Sequence, residues 1–428
     1  MPKVLIIAYY WPPAGGPGVQ RWLKFVKYLR DFDIEPVLYI PKNPQYPIQD
    51  VSLLSEIPKY LTIYRYPIRE PYGLARFVSP KKTQRISSGI IQTNNQSIIE
   101  KILLWVRGNL FIPDARKYWI KPSVKFLSEV LEKEKIDTII TTGPPHSIHM
   151  IGYGLKQKHR LKWLADFRDP WTSIGYHKKL KLTASSRRKH KKLERCVLQA
   201  ADKVIVTSHS TKKEFENITS KPIRVITNGY DSDYKGNQQL DRRFTVSHIG
   251  SLLTGRSPKN LWQVFAELID ASEDFKKQFR LQLIGVVSED VLASIYENGL
   301  KEYVEIVGYL SHEEAVQYQR KSQVLLLVEI DSEETQGIIP GKLFEYMAAK
   351  RPILGLGPKQ WEAGRILVET ETGEAFTYDS HTRLKSVLLE WFTAFGNENL
   401  NVASKGIERY SRKELTKQLA KHLSWESF

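Results

Sequence analysis

The chain contains a single cysteine, Cys196, among its 428 residues. One thiol cannot form an intrachain disulfide bond, and it cannot supply the several cysteines of a structural zinc site. The ten histidines are scattered, and the two that lie closest in sequence, His146 and His149, have no third metal ligand near them in the sequence. We therefore expect a reducing compartment and no bound metal.

Long apolar segments are also missing, since a membrane span needs about 20 consecutive apolar residues. The run Val4–Ile7 is short, and no small-residue cleavage site follows it, which argues against a signal peptide. The stretch Ile98–Val106 is interrupted by Glu100 and Lys101. These absences predict a cytoplasmic protein.

The fingerprint G-x-G-x-x-G is absent from the first strand-to-helix loop, which reads PPAGGPG at residues 12–18. Its absence excludes a nicotinamide-binding site of the Rossmann type. Gly15 and Gly16 still allow a phosphate or a sugar to approach the backbone, because no Cβ intervenes. The alternative for this loop is a purely structural turn.

Composition and pattern favour a two-domain α/β protein. Hydrophobic residues make up 41% of the chain and aromatic residues 11%, enough for two packed cores. Short apolar strands alternate with helices in both halves, and a polar stretch at 231–243 separates them. This alternation predicts two parallel sheets covered by helices on both faces, with ligands at the carboxyl ends of the strands. We place the domains at 1–230 and 231–405, followed by a C-terminal helical segment at 406–428.

The charge is strongly positive, with 64 Lys and Arg against 47 Asp and Glu, a net charge of +17. Nine of the cations lie between His177 and Arg195, with one Glu among them. Nucleic acid, anionic lipid and a solvated helix face are the three interpretations. No known nucleic-acid module is present, and no aromatic residue interrupts the run for base stacking. We favour an anionic membrane surface, which attracts each Lys or Arg by roughly 1 kcal/mol.

The segment Gly337–Gly357 reads GIIPGKLFEYMAAKRPILGLG. A glycine-bearing loop leads into a predicted helix, Lys342–Ala349, and then into a strand, Pro352–Leu356. The start of a helix presents free N–H groups and the positive end of its dipole to an anion. Glu345, one turn into the helix, can bridge two ribose hydroxyls. The combination suits a nucleotide diphosphate, and a solvated charge on an ordinary helix is the alternative.

Two loops of the first half also carry candidate residues. The strand Thr138–Thr142 leads into GPPHS, and the strand Lys162–Phe167 leads into Arg168-Asp169-Pro-Trp. Arg168 can neutralise a phosphate or hold the second, accepting substrate of a group transfer. Asp169 can accept a proton from a hydroxyl group or hydrogen-bond the hydroxyls of a sugar. The alternative is an Arg168–Asp169 pair that only fixes the loop, beside a packing Trp171. Loops on rigid scaffolds carry sites disproportionately, which favours function.

In the second half, a helix is predicted over Ser257–Ala271. Arg256 directly precedes it, and Lys259 lies in its first turn. Cations there oppose the usual preference for acidic residues at a helix start. Such local conflicts tend to mark functional sites. Solvated surface charge is the alternative interpretation.

Together these motifs resemble the retaining family 4 glycosyltransferases of the GT-B fold, of the type that builds bacterial surface polysaccharides. The pattern G-K-x-F-E-Y-x-A before a R-P-I strand carries the resemblance, supported by P-P-x-S and D-F-R-D-P-W in the first half. The resemblance implies two facing Rossmann-like domains with an interdomain cleft, and a C-terminal helix that crosses back. It also implies sugar transfer from a nucleotide-diphosphate sugar to an acceptor hydroxyl, with a lipid-linked glycan as acceptor.

The resemblance also implies roles for individual residues. The implied catalytic residues are Arg168, Asp169, Arg256 and Lys259. The implied nucleotide-sugar ligands are Gly15, Gly16, Gly250, Gly285, Tyr309, Leu310, Gly341, Lys342, Leu343 and Glu345. The implied acceptor-binding residues are Pro145, His146 and Trp171. No metal or other cofactor is expected, because arginine, lysine and a helix dipole can neutralise the leaving group.

The chain departs from the family pattern at two positions. Arg168 stands where many members have His, and Gly337 stands where many have a second Glu, for which Glu333 and Glu334 are candidate substitutes. These departures keep two alternatives open: a nucleotide-sugar epimerase, and a non-catalytic nucleotide-sugar-binding protein. The motif D-S-D at Asp231–Asp233 is interpreted as linker. We expect a location at the inner face of the cell membrane, no nucleic-acid partner, and an oligomeric state that the sequence leaves open.

Overall fold

The computed structural model describes residues 1–70, 98–178, 180–231 and 238–424. The chain divides into two compact units, one made of Met1–Asn228 with Arg412–Phe428 and the other of Gly229–Ser411. Most of the predicted D-S-D linker and Lys179 of the basic run lie outside the described residues. No helix within the described ranges has the length and apolar character that a membrane span requires.

The first unit is built on a seven-stranded parallel sheet of order β3-β2-β1-β4-β5-β6-β7. Its strands are β1 (Lys3–Ile7), β2 (Glu35–Pro41), β3 (Thr62–Tyr66), β4 (Thr138–Gly143), β5 (Lys162–Phe167), β6 (Lys203–Val206) and β7 (Ile223–Val225). Its helices are α1 (Pro17–Leu29), α2 (Ile98–Leu110), α3 (Lys117–Glu134), α4 (Ser147–Lys158), α5 (Gly175–Lys178), α6 (Ala184–Ala200) and α7 (His209–Glu216). Strand β1 buries Leu5 in one core and Ile6 in another, as expected when helices cover both faces of a parallel sheet.

Helix α3 begins six residues earlier than its sequence predicts. The sequence predicts a helix over Ser123–Glu134, but the helix begins at Lys117 and contains Pro122, which has no N–H for a helical hydrogen bond. Trp119, in the extra turn, is buried and stacks on Tyr39 with ring centroids 5.1 Å apart. Packing of this aromatic side chain outweighs the cost of an internal proline, about 3 kcal/mol.

The second unit is built on a six-stranded parallel sheet of order β10-β9-β8-β11-β12-β13. Its strands are β8 (Phe244–Ile249), β9 (Phe279–Ile284), β10 (Val304–Gly308), β11 (Val324–Val328), β12 (Ile353–Leu356) and β13 (Gly373–Phe376). Its helices are α8 (Lys259–Ala271), α9 (Glu273–Gln278), α10 (Glu289–Glu297), α11 (His312–Lys321), α12 (Lys342–Ala349), α13 (Glu362–Glu369) and α14 (His381–Gly396). Helix α12 begins and ends where the motif predicts. The two doubly wound sheets confirm the predicted α/β class.

The last helix, α15 (Arg412–Leu423), belongs to the first unit. Leu415, Leu419 and Leu423 recur at the spacing of one helical turn, and all three are buried in the core that also contains Trp22 of α1. The Arg412 guanidinium donates to the Gln20 side-chain oxygen at 3.1 Å. The chain therefore returns to the first unit after completing the second.

Candidate functional site

Three glycines form a backbone edge where neighbouring strands of the second sheet end. Gly250 follows β8, Gly285 follows β9 and Gly308 ends β10, with φ angles of +116°, +116° and +85°. The Gly250 N–H donates to the Ile284 carbonyl, and the Gly285 N–H donates to the Gly308 carbonyl, both at 2.7 Å. A Cβ at Gly285 would lie 2.6 Å from the Gly250 oxygen. Only glycine fits there, so a ligand at this edge would meet bare backbone.

Lys342, the first residue of α12, extends its side chain to this glycine edge. A Cβ at Gly250 would lie 2.8 Å from its Nζ, and Nζ lies 3.2 Å from Nε2 of His248. Burial, and after it the charge of Arg256, lower the pKa of Lys342 to about 7, while Glu329 and Glu345 oppose the shift. An anion bound at the edge would therefore stabilise a proton on Lys342.

Arg256 is held by a carboxylate that the sequence analysis missed. Its Nε and Nη2 donate to Oε1 of Glu329 at 3.1 and 2.9 Å. The Glu329 side chain is 1% exposed, whereas that of Arg256 is 28% exposed. An acidic residue directly after the apolar strand β11 was the available signal for Glu329. This pairing fixes the Arg256 guanidinium near Lys342 while leaving part of it open to a ligand.

Lys259 is placed differently from Arg256. It is exposed and begins α8. In the part of the chain that the structure describes, its ammonium forms no ion pair with another side chain. The structure thus joins Arg256 and Lys342 into one group and leaves Lys259 at the surface of the following helix.

A hydrogen bond of Tyr346 fixes helix α12 against the glycine edge. The Ile249 N–H donates to the Tyr346 hydroxyl oxygen at 2.8 Å, one residue before Gly250. Glu345 faces the neighbouring helix α11, where the buried Gln319 amide donates to its Oε2 at 3.0 Å. Leu343 is fully buried, so only its backbone is available to a ligand.

The remaining nucleotide candidates lie around the same edge. Gly341 precedes α12 directly as its N-cap residue. Tyr309, which follows Gly308, is 79% exposed, and Leu310 beside it is partly buried. Glu333 and Glu334, the candidates for the missing carboxylate, are exposed in the short 3₁₀ turn Glu333–Thr335.

In the first unit, Arg168 brings three loops together. Its Nε donates to the carbonyl of Gly143, the last residue of β4, at 3.2 Å, and its Nη2 donates to the carbonyl of Pro144, the next residue. A Cβ at Gly18 would overlap its guanidinium, so Arg168 lies over the start of α1. Gly16 is the N-cap of α1 with φ +106°, and the Gly15 N–H donates to the Ile48 carbonyl at 3.1 Å.

Asp169 is partly exposed beside Arg168. Burial of its carboxyl group raises its pKa, the charge of Arg168 lowers it, and Asp166 raises it. Arg168 donates to backbone carbonyls, and within the described residues no ion pair joins it to Asp169. Arg168 therefore fixes the loop through backbone carbonyls, and its charge acts on Asp169 without a direct ion pair between the two side chains.

Asp166, which the sequence analysis did not single out, anchors the end of β5. It is fully buried and accepts from the Trp22 indole at 2.7 Å, from the Thr142 hydroxyl at 2.8 Å and from Arg21 at 3.3 Å. Arg21 also donates to the Thr227 carbonyl at 2.5 Å. A carboxylate within an apolar strand was the available signal. This network fixes the strand end from which Arg168 and Asp169 extend.

The predicted acceptor residues Pro145, His146 and Trp171 are all buried. The rings of His146 and Trp171 stack with centroids 4.6 Å apart and planes 3° apart. Neither nitrogen of His146 has a hydrogen-bond partner among the described residues. Burial holds its pKa well below the usual value, and His149 and His177 lower it further. These side chains support the loop, and Pro144, Arg168 and Asp169 are its partly exposed members.

The two doubly wound units define a protein of the GT-B fold, and solved structures with low sequence identity share it. Sucrose-phosphate synthase from Thermosynechococcus elongatus is 13% identical, with a TM-score of 0.60, over 99% of this chain and 98% of that one. WaaG, a glycosyltransferase involved in lipopolysaccharide biosynthesis, is 13% identical, with a TM-score of 0.55, over 99% of this chain and 100% of that one. Anabaena HepE in complex with UDP-glucose is 14% identical, with a TM-score of 0.58, over 99% of both chains.

Residues 91–234 match the family model described as Glycosyltransferase Family 4. No curated protein matches the chain in sequence. The chain therefore shares the GT-B fold with these structures, and its resemblance to the family 4 glycosyltransferases is confirmed.

Proposed function

We propose that the protein transfers a sugar from a nucleotide-diphosphate sugar to an acceptor hydroxyl, with retention of configuration at the anomeric carbon. The observation that carries this proposal is the group formed by Arg256, Lys342 and the glycine edge at Gly250 and Gly285. Negative charge grows on the diphosphate as the bond between it and the sugar of the donor breaks. Two cations held in place before the reaction stabilise that charge without reorganisation.

The rest of the nucleotide would extend along the same edge. Glu345 offers a carboxylate to the ribose hydroxyls, and the exposed Tyr309 offers a ring face to the base. Solved structures of the same fold support a nucleotide ligand, since HepE was solved with UDP-glucose and TarM from S. aureus with UDP. In this proposal Arg256, Lys342 and the start of α12 supply the positive charge at the leaving group, and no metal is required.

Turnover of the donor tests this function. Purified protein is incubated with a panel of UDP-, GDP- and ADP-sugars, and the released sugar is followed by proton NMR. We expect slow hydrolysis of one donor, with the first-formed product in the anomeric configuration of that donor. Conversion of the donor into an epimer without release would establish the epimerase alternative, and binding without any turnover would establish the non-catalytic one.

We further propose that the acceptor is a lipid-linked glycan of cell-surface polysaccharide synthesis, reached at the inner face of the cell membrane. Helix α6 supports this, because its single acidic residue, Glu194, is buried while its cations are exposed. The exposed cations are Arg187, Arg188, Lys189, Lys191, Lys192 and Arg195. The role of WaaG in lipopolysaccharide biosynthesis agrees with such an acceptor. In the first unit, Arg168 would hold the acceptor and Asp169 would accept its hydroxyl proton.

Sedimentation with vesicles tests the membrane part of this proposal. We expect binding to vesicles containing phosphatidylglycerol, no binding to pure phosphatidylcholine, and release when salt rises from about 0.1 M to about 0.5 M, because such attraction is screened. The pair Lys191→Glu and Lys192→Glu should weaken binding. The matched pair Lys276→Glu and Lys277→Glu, also exposed on a helix, should not. Equal binding to both kinds of vesicle would contradict electrostatic attachment.

A further inference from the structure

His248 lies two residues before Gly250, on β8, and its side chain is fully buried. Its Nδ1 is 3.0 Å from the Leu326 carbonyl oxygen on β11. A carbonyl oxygen only accepts hydrogen bonds, so Nδ1 carries the proton. The other nitrogen, Nε2, then has a free lone pair and lies 3.2 Å from Nζ of Lys342. An ammonium group only donates, so this second hydrogen bond runs from Lys342 to His248.

The surroundings keep the His248 ring neutral. Its burial and the facing charges of Lys342 and Arg256 hold its pKa well below the usual value, against the opposite effect of the Leu326 and Ser251 backbones. A neutral ring with Nδ1 protonated can act only as an acceptor toward Lys342. The other charged groups that act on the Lys342 ammonium are Arg256, Glu329 and Glu345, and of these the two carboxylates favour its charged form.

We propose that His248 is a positioning residue of the donor site: its neutral ring accepts a hydrogen bond from the Lys342 ammonium and holds that charge over Gly250. Without this acceptor the flexible lysine chain would have to find its place when the diphosphate arrives, at an entropic cost. The same hydrogen bond favours the charged form of Lys342. This inference rests on the proposed function, in which Lys342 binds the diphosphate of the donor.

Calorimetric titration of the full-length protein with UDP, GDP and ADP first identifies the nucleotide that the wild type binds most tightly. With that nucleotide, we expect His248→Leu to bind about 10- to 100-fold more weakly, the effect of losing a hydrogen bond to a charged group. His248→Gln keeps one donor and one acceptor, and it should recover part of the affinity. Equal affinities of the wild type and both variants would overturn the inference.

A double-mutant cycle with Lys342→Met separates positioning from a structural role. If His248 acts through the ammonium, His248→Leu costs no further affinity once Lys342 is Met. A cost of the same size in both backgrounds would show a structural role and overturn the inference. The control is Ser247→Ala on the same strand, which removes buried hydrogen bonds to Gln282 and Ser322. It should lower stability and leave nucleotide affinity unchanged.

The pH profile gives a readout that a merely structural role would not move. Removing the acceptor disfavours the Lys342 ammonium, so its pKa falls in His248→Leu, and nucleotide affinity should be lost at a lower pH than in the wild type. An unchanged profile between about pH 6 and pH 9 would overturn the inference while leaving the proposed function intact. A wild type that binds none of the three nucleotides would overturn the proposed function itself.

Discussion

The two cations at the glycine edge, Arg256 and Lys342, are held by different kinds of group, one a carboxylate and the other a neutral ring. Arg256 is fixed by the buried carboxylate of Glu329, whereas Lys342 is fixed by the neutral ring of His248, which adds no charge. Arginine stays protonated at any accessible pH, but Lys342, with its pKa lowered to about 7, changes charge near neutrality. The anion-binding strength of the edge therefore depends on pH through Lys342.

Glu345 is the candidate ligand for the ribose of the nucleotide. If its carboxylate binds the ribose hydroxyls, Glu345→Ala should weaken binding of the nucleotide diphosphate by about 1.5–3 kcal/mol, the range for a hydrogen bond to a charged group. Calorimetry measures the change, and circular dichroism checks the fold. Glu369→Ala, an exposed carboxylate on the neighbouring helix α13, serves as control. Unchanged affinity of a folded Glu345→Ala protein would remove Glu345 from the site.

These residues also show how far the sequence could lead. Lys342 and Glu345 were predictable because both lie in one short loop-helix motif whose chemistry is local. Glu329 and His248 were not, because their contacts join positions 73 and 94 residues apart. Only the parallel pairing of β8 with β11 brings such distant positions to one edge of a sheet.

At the scale of elements, the loops after β4 and β5 pack against a cluster of buried histidines. His177 and His190 lie edge to face with ring centroids 4.6 Å apart, and His190 accepts from the Trp171 indole at 3.1 Å. Burial lowers the pKa of His149 to about 3 and that of His177 to about 4. The sequence showed the spacing of His146 and His149 but not this cluster, because His190 comes from a distant helix.

The cluster predicts acid sensitivity of the first unit. The unfolded chain binds protons at these histidines below about pH 6.5, while the folded state does not, so the free energy of unfolding falls as pH drops from about 6.5 toward 4. His146→Phe keeps the stacking on Trp171 and removes one titrating ring. This variant should reduce the slope of the free energy of unfolding against pH by about 1.4 kcal/mol per pH unit. Chemical denaturation at several pH values measures this. His312→Phe in the second unit is the control, and parallel slopes for wild type and His146→Phe would contradict the account.

At the scale of the whole molecule, each unit has its own parallel sheet and core, and the chain returns to the first unit through α15. The alternation of strands and helices made the two-sheet architecture predictable, because that pattern depends only on local periodicity. Between Leu356 and the predicted C-terminal helical segment at 406–428, the sequence did not reveal α13, β13 and α14. The missed strand β13 is only four residues long, GEAF, and offers little periodicity to detect.

Helix α15 packs into the core of the first unit. Leu419 is fully buried in the core shared with α1, so Leu419→Ala should destabilise the first unit by about 2–5 kcal/mol, the usual cost of deleting a buried leucine side chain. Thermal or urea unfolding measures the loss. Lys421→Ala, two residues away and exposed, should stay within about 0.5 kcal/mol of wild type. Equal stability of both variants would show that α15 does not contribute to that core.

In the proposed function, the glycine edge of the second unit binds the diphosphate of a nucleotide sugar through Lys342 and Arg256. The most direct test is calorimetric titration of UDP, GDP and ADP into the wild type, Lys342→Met and Lys350→Met, the last being an exposed lysine at the other end of the same helix. We expect one nucleotide to bind the wild type and Lys350→Met alike, and to bind Lys342→Met at least about tenfold more weakly. Equal binding to all three proteins, or no binding to the wild type, would contradict it.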